Sequence, residues 1–234
     1  FIQYDGWTLL GAAAIQTQRV RVGLMVSSPT LRHPTALAHV ATTVDHLSEG
    51  RLELGLGAGG ALGDYAGLGI DPFSETERVE RLEETIEILD GLLEGFPMTR
   101  VGRHYRVDQA VVSASVQRPR PPLTVAATGM RSIEIAARYA DAWNCMGGQP
   151  FRTRETLSLD EAVVRAADLM DRFDAACRRW GRDPSTIRKS VLAFRADPFA
   201  SVDAFEEFVG RYSAIGFDEF VCYWPSLKRE TVME

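Results

Sequence analysis

Two short runs in this chain of 234 residues carry residue types that could hold a ligand. The first is Gly57-Ala58-Gly59-Gly60, at the end of the apolar run Arg51–Gly57. Glycines where a strand exits let a ligand or another backbone come close, and they leave backbone N–H groups facing a ring or a phosphate. A tight strand-to-loop turn would use the same residues. The second run is Thr128-Gly129-Met130-Arg131-Ser132, between an apolar run and a helical pattern. A helix N-terminus presents N–H groups and a partial positive charge, which suit a phosphate, and Arg131 adds a charge-assisted donor. Ordinary capping by Thr128 or Ser132 is the structural alternative.

Other chemistries find less support. His39 and His46 fall seven apart in one helical pattern, on a similar face. His33 precedes Pro34 and is expected to cap the helix that Pro34 begins rather than meet a substrate. The four histidines and three cysteines show no metal-ligand spacing. Asp64 reads as a solvated loop residue, and Trp7, Trp143 and Trp224 read as core or pocket wall. There is no Gly-X-Ser-X-Gly elbow and no phosphate-binding P-loop. Gly55–Gly60 is glycine-rich, but the acidic helix after it is expected only near Ser74, so a nicotinamide Rossmann motif is rejected.

The elements that must position these runs alternate. Val20–Val26, Arg51–Gly57, Leu123–Ala127, Ala142–Met146, Ile187–Phe194 and Glu219–Tyr223 read as short buried strands. Between them lie helices with clear start signals. Pro34 suits a first helical position, and Ser74…Glu77 and Ser158…Glu161 are capping-box patterns. Val79, Leu82, Ile86, Leu89 and Leu93 form one apolar stripe. Ala162, Ala166, Leu169, Phe173, Cys177 and Trp180 form another, stopped by Gly181 and Asp183-Pro184. The alternation predicts an α/β fold with a parallel sheet and helical crossovers. His104–Val112 suggests an accessory hairpin or edge segment, and Arg118–Pro122 a stiff loop into the next strand.

Composition narrows the class. An apolar content of 45% suits a chain with a sizeable core, and a net charge of −6 argues against nucleic-acid or anionic-membrane partners. No window reaches the ~20 apolar residues of a membrane span, and no secretory-signal pattern is present. Cys145, Cys177 and Cys222 are far apart, as expected of reduced thiols in a cytoplasmic protein.

Four stretches together resemble one family. They are DGWTLLGAAAIQTQRVRVGLMVSS, RHPTALAHVATTVDHLSEGRLELGLGAG, RLEETIEILDGLL and AATGMRSIEIAARYADAWN. In this order they are similar to the bacterial luciferase-like family of flavin- and coenzyme F420-dependent oxidoreductases, over Asp5 to about Trp224. The resemblance implies a (β/α)8 TIM barrel and a single domain over residues 1–234, incomplete at both ends. Its first two strands are then missing from this chain, and the six strands read here become strands three to eight.

The resemblance also implies roles. Val26-Ser27-Ser28-Pro29 matches a position that in the family often carries a bulge with a non-proline cis peptide against the ring, which makes Ser27, and beside it Ser28, ring contacts. Ala58, Gly59 and Gly60 fall on the same region. Thr128, Gly129, Met130, Arg131 and Ser132 fall on the cofactor's phosphate, with Trp224-Pro225 flanking that end. The run GAGGALGDYAGLG is similar to a loop of F420-dependent sugar-phosphate dehydrogenases, which place an acidic glutamate where this chain has Gly60. Gly60 cannot donate a proton, which argues against sugar-phosphate oxidation by that mechanism. In the family, catalytic acid and base groups often come from the segment after strand two, which this chain lacks, so no catalytic residue is assigned. The implied activity is hydride transfer between C5 of the deazaflavin and a small organic substrate. FMN-dependent monooxygenation and a non-catalytic flavin-binding barrel are the alternatives. A homodimer through the helices beside strands three and four is also implied.

Overall fold

The computed structural model describes residues 4–60, 62–151 and 153–223. Trp224-Pro225 lies outside the described residues. The chain divides into two compact units, Phe1–Ala126 and Ala127–Glu234.

In the first unit, α1 (Gly6–Gln16) starts on Asp5, whose carboxylate accepts from the Thr8 amide at 2.8 Å. Its C-terminus is held by Arg51, which donates to the carbonyls of Ala14, Thr17 and Val20 and to the Thr17 hydroxyl. There follow β1 (Val22–Gly23), α2 (Pro34–Leu47), β2 (Leu52–Gly57), α3 (Leu62–Leu68), α4 (Glu75–Leu93), the antiparallel pair β3 (Met98–Val101) and β4 (Arg106–Ala110), and β5 (Leu123–Ala126). Strands β1, β2 and β5 are parallel, with Val22 opposite Leu52 and Leu54 opposite Leu123. The intervening α2 and α4 supply the crossovers. Their apolar stripes bury Leu37, Ala41 and Val44 on one, and Leu82, Ile86, Leu89 and Leu93 on the other. Asp45, fully buried, accepts from the Val116 and Gln117 amides and the Gln117 carboxamide, tying α2 to the loop before β5.

In the second unit, α5 (Met130–Tyr139), β6 (Ala142–Cys145), α6 (Leu159–Arg179), β7 (Arg188–Leu192), α7 (Val202–Ala214) and β8 (Glu219–Val221) alternate in the same way. Asn144 pairs with Ser190 and Val191 with Phe220, again in parallel. The Ser158–Glu161 capping box is fully formed. Trp143 is buried, stacks on Phe173 at 4.5 Å and donates its indole N–H to the Ala127 carbonyl.

Several boundaries differ from the sequence expectation for identifiable reasons. The strand expected over Val20–Val26 is regular only at Val22–Gly23 and touches β2 again at an isolated bridge from Ser27 to Leu56. Between these points the chain crosses over the glycines of β2 instead of running beside them. A Cβ on Gly55 would lie 2.0 Å from the Leu24 carbonyl oxygen, and one on Gly57 2.7 Å from the Val26 side chain. The hairpin suggested by His104–Val112 begins earlier, at Met98. Trp180 is half-exposed rather than part of the buried face of α6. It caps the helix, donates to Glu134 and lies under Arg138. The Arg118–Pro119 bond is cis, and its loop runs directly into β5 as expected. The short α3 was not anticipated, so a helix does follow Gly55–Gly60 well before Ser74.

Candidate functional site

In the first unit the exits of β1 and β2 lie side by side. Ser27 donates its amide to the Gly55 carbonyl at 2.9 Å, and the Gly57 amide donates to the Ser27 carbonyl at 3.2 Å. The Met25–Val26 peptide bond is cis, one residue ahead of the Val26–Pro29 segment for which the resemblance implies such a bond. The Trp7 indole N–H donates to Ser27 Oγ at 2.8 Å. An indole only donates, so Ser27 accepts there and keeps its own hydroxyl proton for another partner.

Ser28 lies over Gly59. Gly59 has φ +76°, and a Cβ there would sit 2.4 Å from Ser28 Oγ. Ser28 Oγ is 2.8 Å from Thr30 Oγ1, which is 2.8 Å from the Tyr65 hydroxyl. Pro29 is held from the other side, where the Tyr105 hydroxyl donates to its carbonyl at 2.8 Å. Ser27, Ser28 and Ala58 are half-buried and Gly59 is exposed. The structure therefore brings Ser27, Ser28, Ala58, Gly59 and Gly60 to one place. It also separates two uses of glycine: Gly55 and Gly57 admit the chain's own backbone and side chain, whereas Gly59 admits the Ser28 hydroxyl at the surface. Asp64 is exposed in the first turn of α3, and His33 caps α2 by accepting from the Thr35 amide at 3.3 Å, as expected.

In the second unit, Thr128, Gly129, Met130 and Arg131 are exposed at the start of α5 and Ser132 is buried. The helix starts on Gly129 with no side-chain cap. The capping alternatives are thus not realised: the Ser132 hydroxyl donates to the Gly129 carbonyl at 2.9 Å, and Thr128 does not cap. No side chain caps the first turn of α5. A cation that sequence reasoning missed approaches the same turn. Arg172 of α6, paired with Asp168 at 2.6 Å, reaches the Met130 sulfur at 3.6 Å.

A separate cavity of about 210 Å³ lies in the second unit, lined by Met146, Gln149, Leu192, Phe194, Phe208 and Tyr212. Beside it the loop before α6 is clamped twice. Gln149 exchanges two hydrogen bonds with the Leu157 backbone, and Arg195 donates to the carbonyls of Thr153 and Glu155. Cys145, at the end of β6, is buried, which pushes its thiol up to about 12. Among the described residues no group of three or more His, Cys, Asp or Glu could hold a metal ion. No helix among them is long and apolar enough to cross a membrane.

Residues 1–218 match the model of a family described as luciferase-like monooxygenase. An F420-dependent glucose-6-phosphate dehydrogenase of Nakamurella multipartita is 32% identical over 169 residues, 70% of this chain and 49% of that protein. An F420-dependent hydroxymycolic acid dehydrogenase of Mycobacterium tuberculosis is 31% identical over 198 residues, 84% of this chain and 49% of that one. The chain therefore spans about half the length of these relatives. Among solved structures, the coenzyme F420-dependent tetrahydromethanopterin reductase of Methanopyrus kandleri superposes with a TM-score of 0.78 at 16% identity, covering 98% of this chain and 85% of that one. That likeness supports the fold: α/β, with the strand–helix order of part of a (β/α)8 barrel.

Proposed function

We propose that this chain, which belongs to the luciferase-like family, forms part of a coenzyme F420-dependent oxidoreductase acting on a small organic substrate. The observation that carries the reading is the exit of β1 laid over the glycines of β2, in a chain about one-third identical to two enzymes named as F420-dependent. The residues present fit such a cofactor. Ring contact falls to Ser27, Ser28, Ala58, Gly59 and Gly60, which offer hydroxyl and backbone donors with little side-chain bulk. Phosphate contact falls to Thr128, Gly129, Met130, Arg131 and Ser132, where α5 begins without a side-chain cap. When bound, the cofactor supplies hydride chemistry at C5 of its deazaflavin, while the protein orients it and excludes water.

Gly60 sets a limit on the substrate. Two of the matched enzymes act on different alcohols by name, so identity at this level does not choose between them. Without an ionisable group at Gly60, sugar-phosphate oxidation through an acid at that position is not part of the proposal. A second reading rests on the family's description as monooxygenases: the same surface takes FMN, and the reduced flavin activates oxygen. A homodimer through the helices beside β1 and β2 completes the proposal.

The test is a titration of the full-length protein with F420 and, separately, with FMN, followed by quenching of tryptophan fluorescence. Tight F420 binding with little response to FMN supports the first reading. The reverse preference, with substrate-dependent oxygen consumption, supports the second. Binding of neither sinks both. Sedimentation showing only monomer would remove the dimer.

A further inference from the structure

The hydroxyls of Tyr65, Thr30 and Ser28 form a chain whose proton order can be read from burial. Tyr65 is 2% exposed, packs edge-on against Phe73, and has Thr30 Oγ1 as its hydrogen-bond partner at 2.8 Å. A buried phenol proton without an acceptor would be costly, so Tyr65 donates to Thr30. Thr30 Oγ1 then accepts from Tyr65 and gives its own proton to Ser28 Oγ, 2.8 Å away. Ser28 already accepts, and its proton remains to be donated outward. Its hydroxyl sits where a side chain on Gly59 would be, at the half-buried rim of the β1 and β2 exits. The opposite order would strand the phenol proton inside the protein.

We propose that Tyr65 orders this chain and makes Ser28 a committed hydrogen-bond donor to an acceptor oxygen on the bound cofactor's ring. This rests on the F420 reading above. Tyr65 is a positioning residue, since it acts through Thr30 and Ser28. It also gives α3 a purpose. Tyr65 is buried while Gly63, Asp64, Ala66, Gly67 and Leu68 are exposed, so the helix is anchored through the residue that ends the chain. Ser27 is a parallel case, because it accepts from Trp7 at 2.8 Å and likewise keeps its own proton for a partner. Two neighbouring serines then present donors, which suits a ring edge bearing carbonyl oxygens and disfavours one bearing N–H groups.

The test combines Tyr65→Phe, Ser28→Ala and the double variant in the full-length protein, with F420 affinity as the readout. Each single change is expected to weaken F420 binding about 3- to 10-fold, the range of one neutral hydrogen bond. Tyr65→Phe should add nothing in the Ser28→Ala background, because its effect passes through Ser28. Multiplying effects, or a Tyr65→Phe affinity within 2-fold of the parent, would overturn the proposal. Neutron diffraction reads the order without any cofactor. Deuterons on Tyr65 pointing to Thr30, and on Thr30 pointing to Ser28, are expected; the reverse order refutes it. If the parent protein binds neither F420 nor FMN, the function reading fails while the diffraction result still decides the chain.

Discussion

Gly59→Ala tests whether the β1 and β2 exits are built as described. Gly59 has φ +76°, in the left-handed region, where a residue with a Cβ costs roughly 1–2 kcal/mol. The new Cβ would also stand 2.4 Å from Ser28 Oγ and 3.5 Å from Thr30 Oγ1. Ser28 must rotate away and give up its hydrogen bond to Thr30, at a further cost of about 0.5–1.5 kcal/mol. The sum is about 1.5–3.5 kcal/mol, or a fall in thermal midpoint of roughly 3–14 °C for a chain of this size. Part of that cost disappears if the loop relaxes, and the relaxed loop no longer offers Ser28 to a ring. The variant should therefore lose stability or at least 10-fold in F420 affinity, and both are measured on the same preparation by thermal unfolding and by titration. Gly63→Ala is the control. A Cβ there meets nothing within 4 Å, and the residue is helical, so the change should be neutral or stabilise by about 0.5–1 kcal/mol. A Gly59→Ala protein indistinguishable from the parent in both assays would refute the packing of Ser28 on Gly59.

Three further outcomes are expected. Arg51→Ala should destabilise the protein by about 2–4 kcal/mol in chemical unfolding, since it removes the donors that close the C-terminus of α1. Arg51→Lys should recover less than half, because a single ammonium cannot reach the same fan of carbonyls. Burial raises the thiols of Cys145, to about 12, and of Cys177 and Cys222. A thiol reagent at neutral pH should therefore leave Cys145 and Cys177 unmodified until the protein is unfolded, whereas half-buried Cys222 reacts slowly; rapid labelling of Cys145 in the native protein would contradict its burial. Finally, hydrogen bonds from Thr8 to Asp5, from Ser158 to Glu161 and from Ser185 to Asp183 hold these carboxyls below their ordinary 3.8, 4.5 and 3.8. The unfolded chain takes up these protons first as pH falls. Their contribution is thus intact above the ordinary values and fades below about pH 4. Protection factors of the Thr8, Ser158 and Ser185 amides, corrected for the intrinsic exchange rate, should fall there and hold constant at neutral pH.

The architecture was legible because it is written in long-range periodicity. The stripes of α4 and α6 needed only apolar spacing and the serine caps at Ser74 and Ser158, both of which form. What escaped depends on tertiary partners. α3 spans seven residues with glycines at Gly63 and Gly67, too short and too glycine-rich to stand out, and Tyr65 anchors it through Thr30 from outside the helix. β1 lost most of its expected length because the glycines of β2 let the chain cross over them. A glycine carries no side chain to reveal which face it presents, so the sequence alone could not separate Gly55 and Gly57 from Gly59. Thr128 looked like a cap by type and position, yet α5 begins on Gly129 without one.

That last difference bears on function. A capped α5 would have spent its first-turn donors on its own side chain. Uncapped, with Arg131 in it, the turn is the place where the F420 reading would put the cofactor's phosphate. The first unit is the opposite case. Ser27, Ser28, Ala58, Gly59 and Gly60 contain no group that ionises near neutral pH. Their donors are hydroxyls and amides, oriented by Trp7, Thr30 and Tyr65. Neutral, pre-oriented donors can hold a ring in register and polarise its oxygens, but they cannot take up or release a proton at useful cost. On the proposed F420 reading, these five residues would therefore serve orientation and cofactor electronics rather than proton transfer. The same reading would leave any acid or base for substrate turnover to residues other than these.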